Sequence, residues 1–84
     1  MNNVVMRKVV VTGAYRPLAA TQTVISGVIA CRPENTGIVY FKGDDGADVP
    51  WDAGEWNEFV GVNLQDFLIK GTPGDVVTVK GGTW

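Results

Sequence analysis

The stretch IKGTPGDVVTVKGG, residues 69–82, decides the fold class of this chain. Its glycines could cradle a phosphate, or they could turn the chain between two strands. A Walker-type phosphate loop places a lysine and a hydroxyl after its last glycine and then starts a helix, whose N-terminus holds the phosphate. Here the lysine and hydroxyl are absent at those offsets, and the β-branched residues from Val76 onward disfavour a helix. Pro73-Gly74 therefore predicts a type II turn, in which proline presets φ and glycine accepts a positive φ.

The residues after this turn alternate in the manner of a half-buried strand. Val77 and Val79 fall on one face, and the polar residues between and after them fall on the other. The run before the turn offers Phe67 and Ile69 in the same way. We expect a hairpin in which Phe67 and Ile69 pair with Val77 and Val79.

Short β-branched runs of this kind, separated by glycine, proline and aspartate, recur along the whole chain. They predict strands at about residues 4–12, 23–31, 37–42, 58–62, 66–70 and 76–80. We therefore expect an all-β fold, a small antiparallel β-sandwich or barrel of about six short strands. We expect residues 1–84 to form a single β domain, with residues 1–3 as a flexible N-terminal tail and residues 13–22 as a connector.

Three local features refine this prediction. Residues 37–42 are apolar on both faces, which is typical of a central strand or of one covered by a partner. Gly27 interrupts an apolar run and predicts a bulge or a close approach of two backbones. Asn63 is suited to cap a single helical turn near residues 63–66.

Composition limits the function classes. The chain has 84 residues, a formal net charge of −2, one cysteine and no histidine. A domain of this size buries too little surface to be very stable alone, and neither a disulfide within the chain nor a histidine-containing zinc site is available, so we expect a homo-oligomer. Its charges are interspersed, which predicts no nucleic-acid partner. No secretory leader and no apolar run long enough to span a bilayer is recognised, so no membrane partner is expected.

No residue constellation specifies a reaction. The acidic residues 44–48 could bind calcium, but they lack EF-hand spacing and a solvated loop is the simpler interpretation. Cys31 would need a base other than histidine to act as a nucleophile, and a buried inert thiol is favoured. Asp52 and Glu55 could serve a glycosidase only in a deeper cleft than this domain can shape. We expect no enzyme, no catalytic residue, no cofactor and no metal.

Tryptophans are the more informative surface candidates, because tryptophan is enriched at protein interfaces. Trp51 and Trp56 flank the turn-forming residues 52–55, and Trp84 follows two glycines and a threonine. Trp51 and Trp56 could instead cover one end of the core. We predict partner-binding roles for these three tryptophans and for the strand at residues 4–11, through Val5, Val9 and Val11, which could add to a neighbour's sheet.

The order of strands and turns resembles a pattern common in small virion proteins of tailed bacteriophages. The residues that carry the resemblance are NTGIVY at 35–40, an acidic loop, Pro50 before AGE at 53–55, VNLQD at 62–66 and IKGTPGDVV at 69–77. The match extends over about residues 32–82. It implies a β-sandwich module in a virion that associates with itself or attaches to capsid or tail, and it implies no catalysis.

From the residues and the resemblance together we expect a bacteriophage virion structural protein. The favoured form is a homo-oligomeric capsid decoration or cement protein on the head surface, whose partners are itself and the major capsid protein or other virion proteins. A tail or head-to-tail accessory protein is one alternative, and a carbohydrate-binding adsorption module is another. The expected location is the virion, assembled in the host cytoplasm.

Overall fold

In the computed structural model, which describes residues 3–83, the chain forms two four-stranded sheets in which all paired strands are antiparallel. The elements are β1 (Val4–Val10), β2 (Arg16–Pro17), β3 (Val24–Cys31), β4 (Val39–Lys42), β5 (Asp48–Trp51), β6 (Trp56–Asn63), a 3-10 turn (Leu64–Asp66), β7 (Leu68–Lys70) and β8 (Val76–Gly82). We call the sheet β1-β8-β3-β6 the front sheet and the sheet β2-β7-β4-β5 the back sheet. The prediction of a small all-β sandwich is confirmed.

The core lies between the sheets and follows the alternation of the strands. From the front sheet, inward-facing residues such as Ile25, Ile29, Val77 and Val79 are almost fully buried, as period-two geometry requires. The back sheet contributes a smaller set: Val39, Phe41, Trp51 and Ile69. The prediction that Val77 and Val79 share the buried face of their strand is therefore confirmed.

The expected hairpin between residues 66–70 and 76–80 is wrong. β7 pairs with β2 and β4 in the back sheet, whereas β8 pairs with β1 and β3 in the front sheet. The turn between them is as predicted, because the Asp75 N–H donates to the Thr72 carbonyl at 3.1 Å and Gly74 has φ of 96°. It carries the chain from one sheet to the other. Turn chemistry specifies a local reversal, and the distant strands β1 and β3 decide where β8 pairs.

Two strands were not predicted, and both contain proline. β2 lies in the segment expected to be a connector, which also buries Leu18 and Ala19, so residues 13–22 belong to the fold. β5 contains Pro50. Both strands lie at the edges of the back sheet, where a residue without an N–H is tolerated because one side of the strand has no partner.

Several local predictions are confirmed. β4 is a central strand between β7 and β5, and the register of β3 against β6 shifts between Ile25 and Gly27. Asn63 caps the 3-10 turn by accepting a hydrogen bond from the backbone N–H of Gln65. The expected tail is corrected at Asn3, whose carbonyl accepts from the Thr83 N–H at 2.9 Å. The first two residues of that tail lie outside the described residues.

Candidate binding surface

The exposed apolar side chains are concentrated on one side of the molecule. Eight large apolar residues are exposed in the described part of the chain. Six of them lie on the outer face of the front sheet, as the alternation of side chains along each strand and the register between strands show. We call this outer face the front face. The six are Val4, Met6, Val10, Val24, Trp56 and Val60. Met6 is 70% exposed and Val60 is 80% exposed, so these are not partly covered core residues.

Cross-strand pairing aligns the front face into two rows that run across all four strands. Directly paired residues of antiparallel strands share a face, so the rows can be traced from the register. One row is Met6, Lys80, Val28 and Glu58, and the next is Lys8, Thr78, Ala30 and Trp56. Basic residues therefore occupy the β1 and β8 side of this face, and Glu58 occupies the β6 side.

The outer face of the back sheet differs because its polar groups are paired within the chain. Lys70 Nζ lies 3.3 Å from Asp48 Oδ2 and 4.7 Å from the centre of the Tyr15 ring, and Lys42 lies 5.6 Å from the same ring. The hydrogen bond that the Tyr15 hydroxyl donates to Asp48 raises the pKa of Tyr15 to about 12 and lowers the pKa of Asp48. The polar groups of this face thus pair with one another, whereas the front face presents exposed apolar side chains.

Trp51 and Trp56 have different environments. Trp51 is 7% exposed, and its ring stacks on Phe41 at 4.0 Å between centroids and on Phe59 at 6.3 Å. It joins the back sheet to β6, so the prediction that it contacts a partner is corrected to a core role. Trp56 is 64% exposed and lies on the front face, where the interface role remains open to test. Trp84 lies outside the described residues.

The valines named in the first strand are also corrected. Val5 and Val11 are buried, and Val9 packs against the core, so all three point inward and not toward a partner. The even-numbered residues of β1, among them Met6 and Lys8, are all exposed, and of the odd-numbered residues in this strand only Arg7 is exposed. The sequence left this choice ambiguous, because Arg7 is in phase with the buried set.

The resemblance motifs form a connected unit in the structure. Asp75 is buried, and its carboxylate accepts hydrogen bonds from the backbone N–H and hydroxyl of Thr36 and from the N–H of Gly37. The Thr36 N–H, followed by that of Gly37, holds the pKa of Asp75 below its usual value. Asn35 is buried beside it and exchanges two hydrogen bonds with the backbone of Val76, at 2.8 and 3.0 Å. The NTG and GDV motifs thus tie together two segments that are distant in sequence.

Cys31 and the acidic loop, considered above as a nucleophile and as a calcium site, are held by contacts within the fold. Burial, followed by the charges of Glu55 and Asp52, raises the pKa of the Cys31 thiol to about 11, which disfavours the nucleophilic thiolate. Residues 44–47 form a tight loop in which the Asp45 carboxylate accepts from the Ala47 N–H at 3.0 Å. Within residues 3–83 no three histidine, cysteine, aspartate or glutamate side chains gather as a metal site would need.

The glycine-rich turn uses its amides within the fold. The N–H groups of Gly71 and Gly74 donate to the carbonyls of Thr12 and Val11, at 2.9 and 3.1 Å. They are therefore not free to cradle a phosphate. The neighbouring surface depression, lined in part by Gly71 and Tyr40, has a volume of about 550 Å³ and is open to solvent. Among the residues that the structure describes, no helix is long and apolar enough to cross a membrane.

The fold is that of a small antiparallel β-sandwich in which one outer face has polar groups paired within the chain and the other carries six exposed apolar side chains beside charged ones. Comparisons of the chain with protein-family models, curated proteins and solved structures find no match.

Proposed function

We propose that this chain is a structural subunit of a tailed-bacteriophage virion, a homo-oligomeric decoration or cement protein on the capsid surface. The observation that carries the proposal is the front face, where six exposed apolar side chains gather on one sheet. Single scattered apolar residues are normal on a soluble monomer, whereas several on one face of one sheet favour protein association. A binding role, not catalysis, is the proposed activity.

Two further features support this proposal. The motifs behind the resemblance to small phage virion proteins carry the buried contacts of Asn35 and Asp75, so the resemblance rests on residues that support this fold. The domain is also small, with 84 residues, and burying the front face against another subunit would add the stability that such a domain lacks.

The test is the presence and copy number of the protein in purified virions of its phage. Quantitative mass spectrometry of gradient-purified particles should find hundreds of copies per particle for a capsid-surface protein, and about a dozen or fewer for a tail or head-to-tail part. A low copy number would favour the tail alternative. Absence from the particles would refute both.

The carbohydrate-binding alternative would use Trp56 as its aromatic platform, because Trp56 is exposed whereas Trp51 is buried under neighbouring rings. It predicts binding on a glycan array that is lost in Trp56→Ala. The virion proposal predicts no glycan binding, together with weaker capsid stability when particles carry Trp56→Ala. Measuring both properties on the same variant separates the two functions.

A further inference from the structure

The edge strands of the two sheets differ in length and in proline content. The edges of the back sheet are β2 and β5, which have two and four residues and contain Pro17 and Pro50. Short, proline-containing edges are a common protection against pairing with other chains. The edges of the front sheet are β1 and β6, with seven and eight residues and no proline. Only the front sheet therefore offers long edges to another strand.

The free backbone groups of β1 belong to its even-numbered residues. At one end the Asn3 carbonyl accepts from Thr83, and just beyond the other end Val11 exchanges hydrogen bonds with Asp75 and Gly74, all toward β8. Successive residues of an antiparallel strand direct their N–H and C=O groups to opposite sides. The odd residues thus bond to β8, and the N–H and C=O groups of Val4, Met6, Lys8 and Val10 point to the open edge.

The same reasoning applies to β6. Immediately before this strand, the Cys31 N–H donates to the Glu55 carbonyl at 2.8 Å, so odd residues from Glu55 onward bond to β3. The even residues Trp56 and Glu58 direct their backbone groups to the open edge, and Val60 follows them in phase at the start of the bulge. On both edges, the residues with free backbone groups are also those whose side chains lie on the front face.

We propose that β6 of one copy pairs antiparallel with β1 of the next, with Glu58 opposite Lys8. This inference rests on the proposed self-associating function and gives it a geometry. The register matches free backbone groups with free backbone groups and supplies about six interchain hydrogen bonds. It also places Trp56 opposite Val10 and Val60 opposite Met6, so each apolar side chain meets another on the same face. The front sheet becomes continuous from copy to copy.

Charge selects this pairing over the self-pairing of either edge. Pairing two copies of β1 over their full length puts Arg7 opposite Arg7, and pairing two copies of β6 before its bulge puts Glu58 opposite Glu58. Like charges directly opposite destabilise a sheet, whereas Glu58 and Lys8 attract. Neither Glu58 nor Lys8 forms an ion pair within the described chain. The interface is head-to-tail, and such interfaces build rings or open filaments.

The experiment is analytical ultracentrifugation of the purified protein over a range of concentrations, with charge-reversed variants. Glu58→Lys and Lys8→Glu should each raise the dissociation constant at least about tenfold. Mixing these two variants should restore assembly, because each supplies the edge that the other lacks. The double variant carrying both changes should also assemble. Far-UV circular dichroism checks that every variant is folded.

Lys80→Glu is the matched control, because Lys80 lies on the front face in the inner strand β8, away from the edges. It should change the dissociation constant less than about twofold. An effect as large as that of Lys8→Glu would overturn edge pairing in favour of face-to-face packing. If all three charge-reversed variants assemble as the wild type does, or if mixing Glu58→Lys with Lys8→Glu does not restore assembly, this inference alone would be overturned. A wild-type protein that stays monomeric would overturn self-association too, while virion copy number would still test the virion proposal.

Discussion

Replacing Gly27 with alanine tests the closest approach of two strands in the front sheet. An added Cβ would lie 2.3 Å from the Lys80 carbonyl oxygen and 2.5 Å from Gly81 Cα. Both atoms belong to the backbone of β8, so no side-chain rotation can relieve the contact. Reaching ordinary van der Waals distance needs a shift of about 1 Å between β3 and β8, which are the two inner strands of the sheet.

We expect Gly27→Ala to lower the free energy of unfolding by about 3 kcal/mol, the upper part of the range for overpacking. This is a large fraction of the total for so small a domain, and the melting temperature should fall by roughly 12–24 °C. Urea and thermal denaturation followed by circular dichroism would measure both quantities. Gly81→Ala should behave similarly, because its Cβ would lie 2.3 Å from the Ser26 carbonyl oxygen.

The matched control is Gly13→Ala, since a Cβ at Gly13 meets no atom within 4 Å. Its free energy of unfolding should change by less than about 0.5 kcal/mol. If Gly27→Ala were as stable as this control, the strands would not approach as closely as described, and the reasoning would be refuted.

Three other predictions concern the core and its buried groups. Trp51→Ala should lower the free energy of unfolding by about 3–5 kcal/mol, whereas Trp56→Ala should change the free energy of unfolding of the monomer by less than about 0.5 kcal/mol. Urea titrations that gave similar losses for both variants would contradict the buried position of Trp51 and the exposed position of Trp56. Cys31 should resist a thiol reagent at neutral pH and react fully in denaturant, because burial raises its pKa to about 11. For the same reason the fold should lose stability as the pH rises above 9.0, the ordinary pKa of a thiol. Since the pKa of Asp75 is lowered in the fold, its carboxylate stabilises the protein above its usual value of 3.8, and that contribution is lost as the pH falls through the folded-state pKa. Melting temperatures measured between neutral and acid pH should therefore converge for wild type and Asp75→Asn, and a constant difference would argue against this role.

Local features of the fold followed from the sequence where a residue type answers a local need. Gly74 supplies the positive φ of a type II turn, Asn63 caps the single 3-10 turn, and Gly27 marks the close approach of β3 to β8. Each depends on backbone conformation within a few residues, or on the space that only glycine leaves. For the same reason the alternation of Val77 and Val79 correctly predicted the buried face of β8.

The candidate binding surface was predictable only in part. Trp56 and the first strand were named from the sequence, but the valines chosen in that strand are the inward ones. Alternation says that Val5 and Met6 face opposite sides without saying which side is the core. The charged residues Arg7 and Lys8 fall one in each phase and cancel the usual signal. Trp51 and Trp56 were equally ambiguous, because both flank the same turn.

The sequence by itself determined that this chain is an all-β domain with its turns at defined places, since turn chemistry and period-two patterning are local properties. Tertiary structure alone decided that β7 and β8 separate into different sheets, that Trp51 stacks in the core, and that the even residues of β1 face outward. These outcomes depend on contacts between strands far apart in the chain, where the buried area of the whole sandwich outweighs the preference of any one turn.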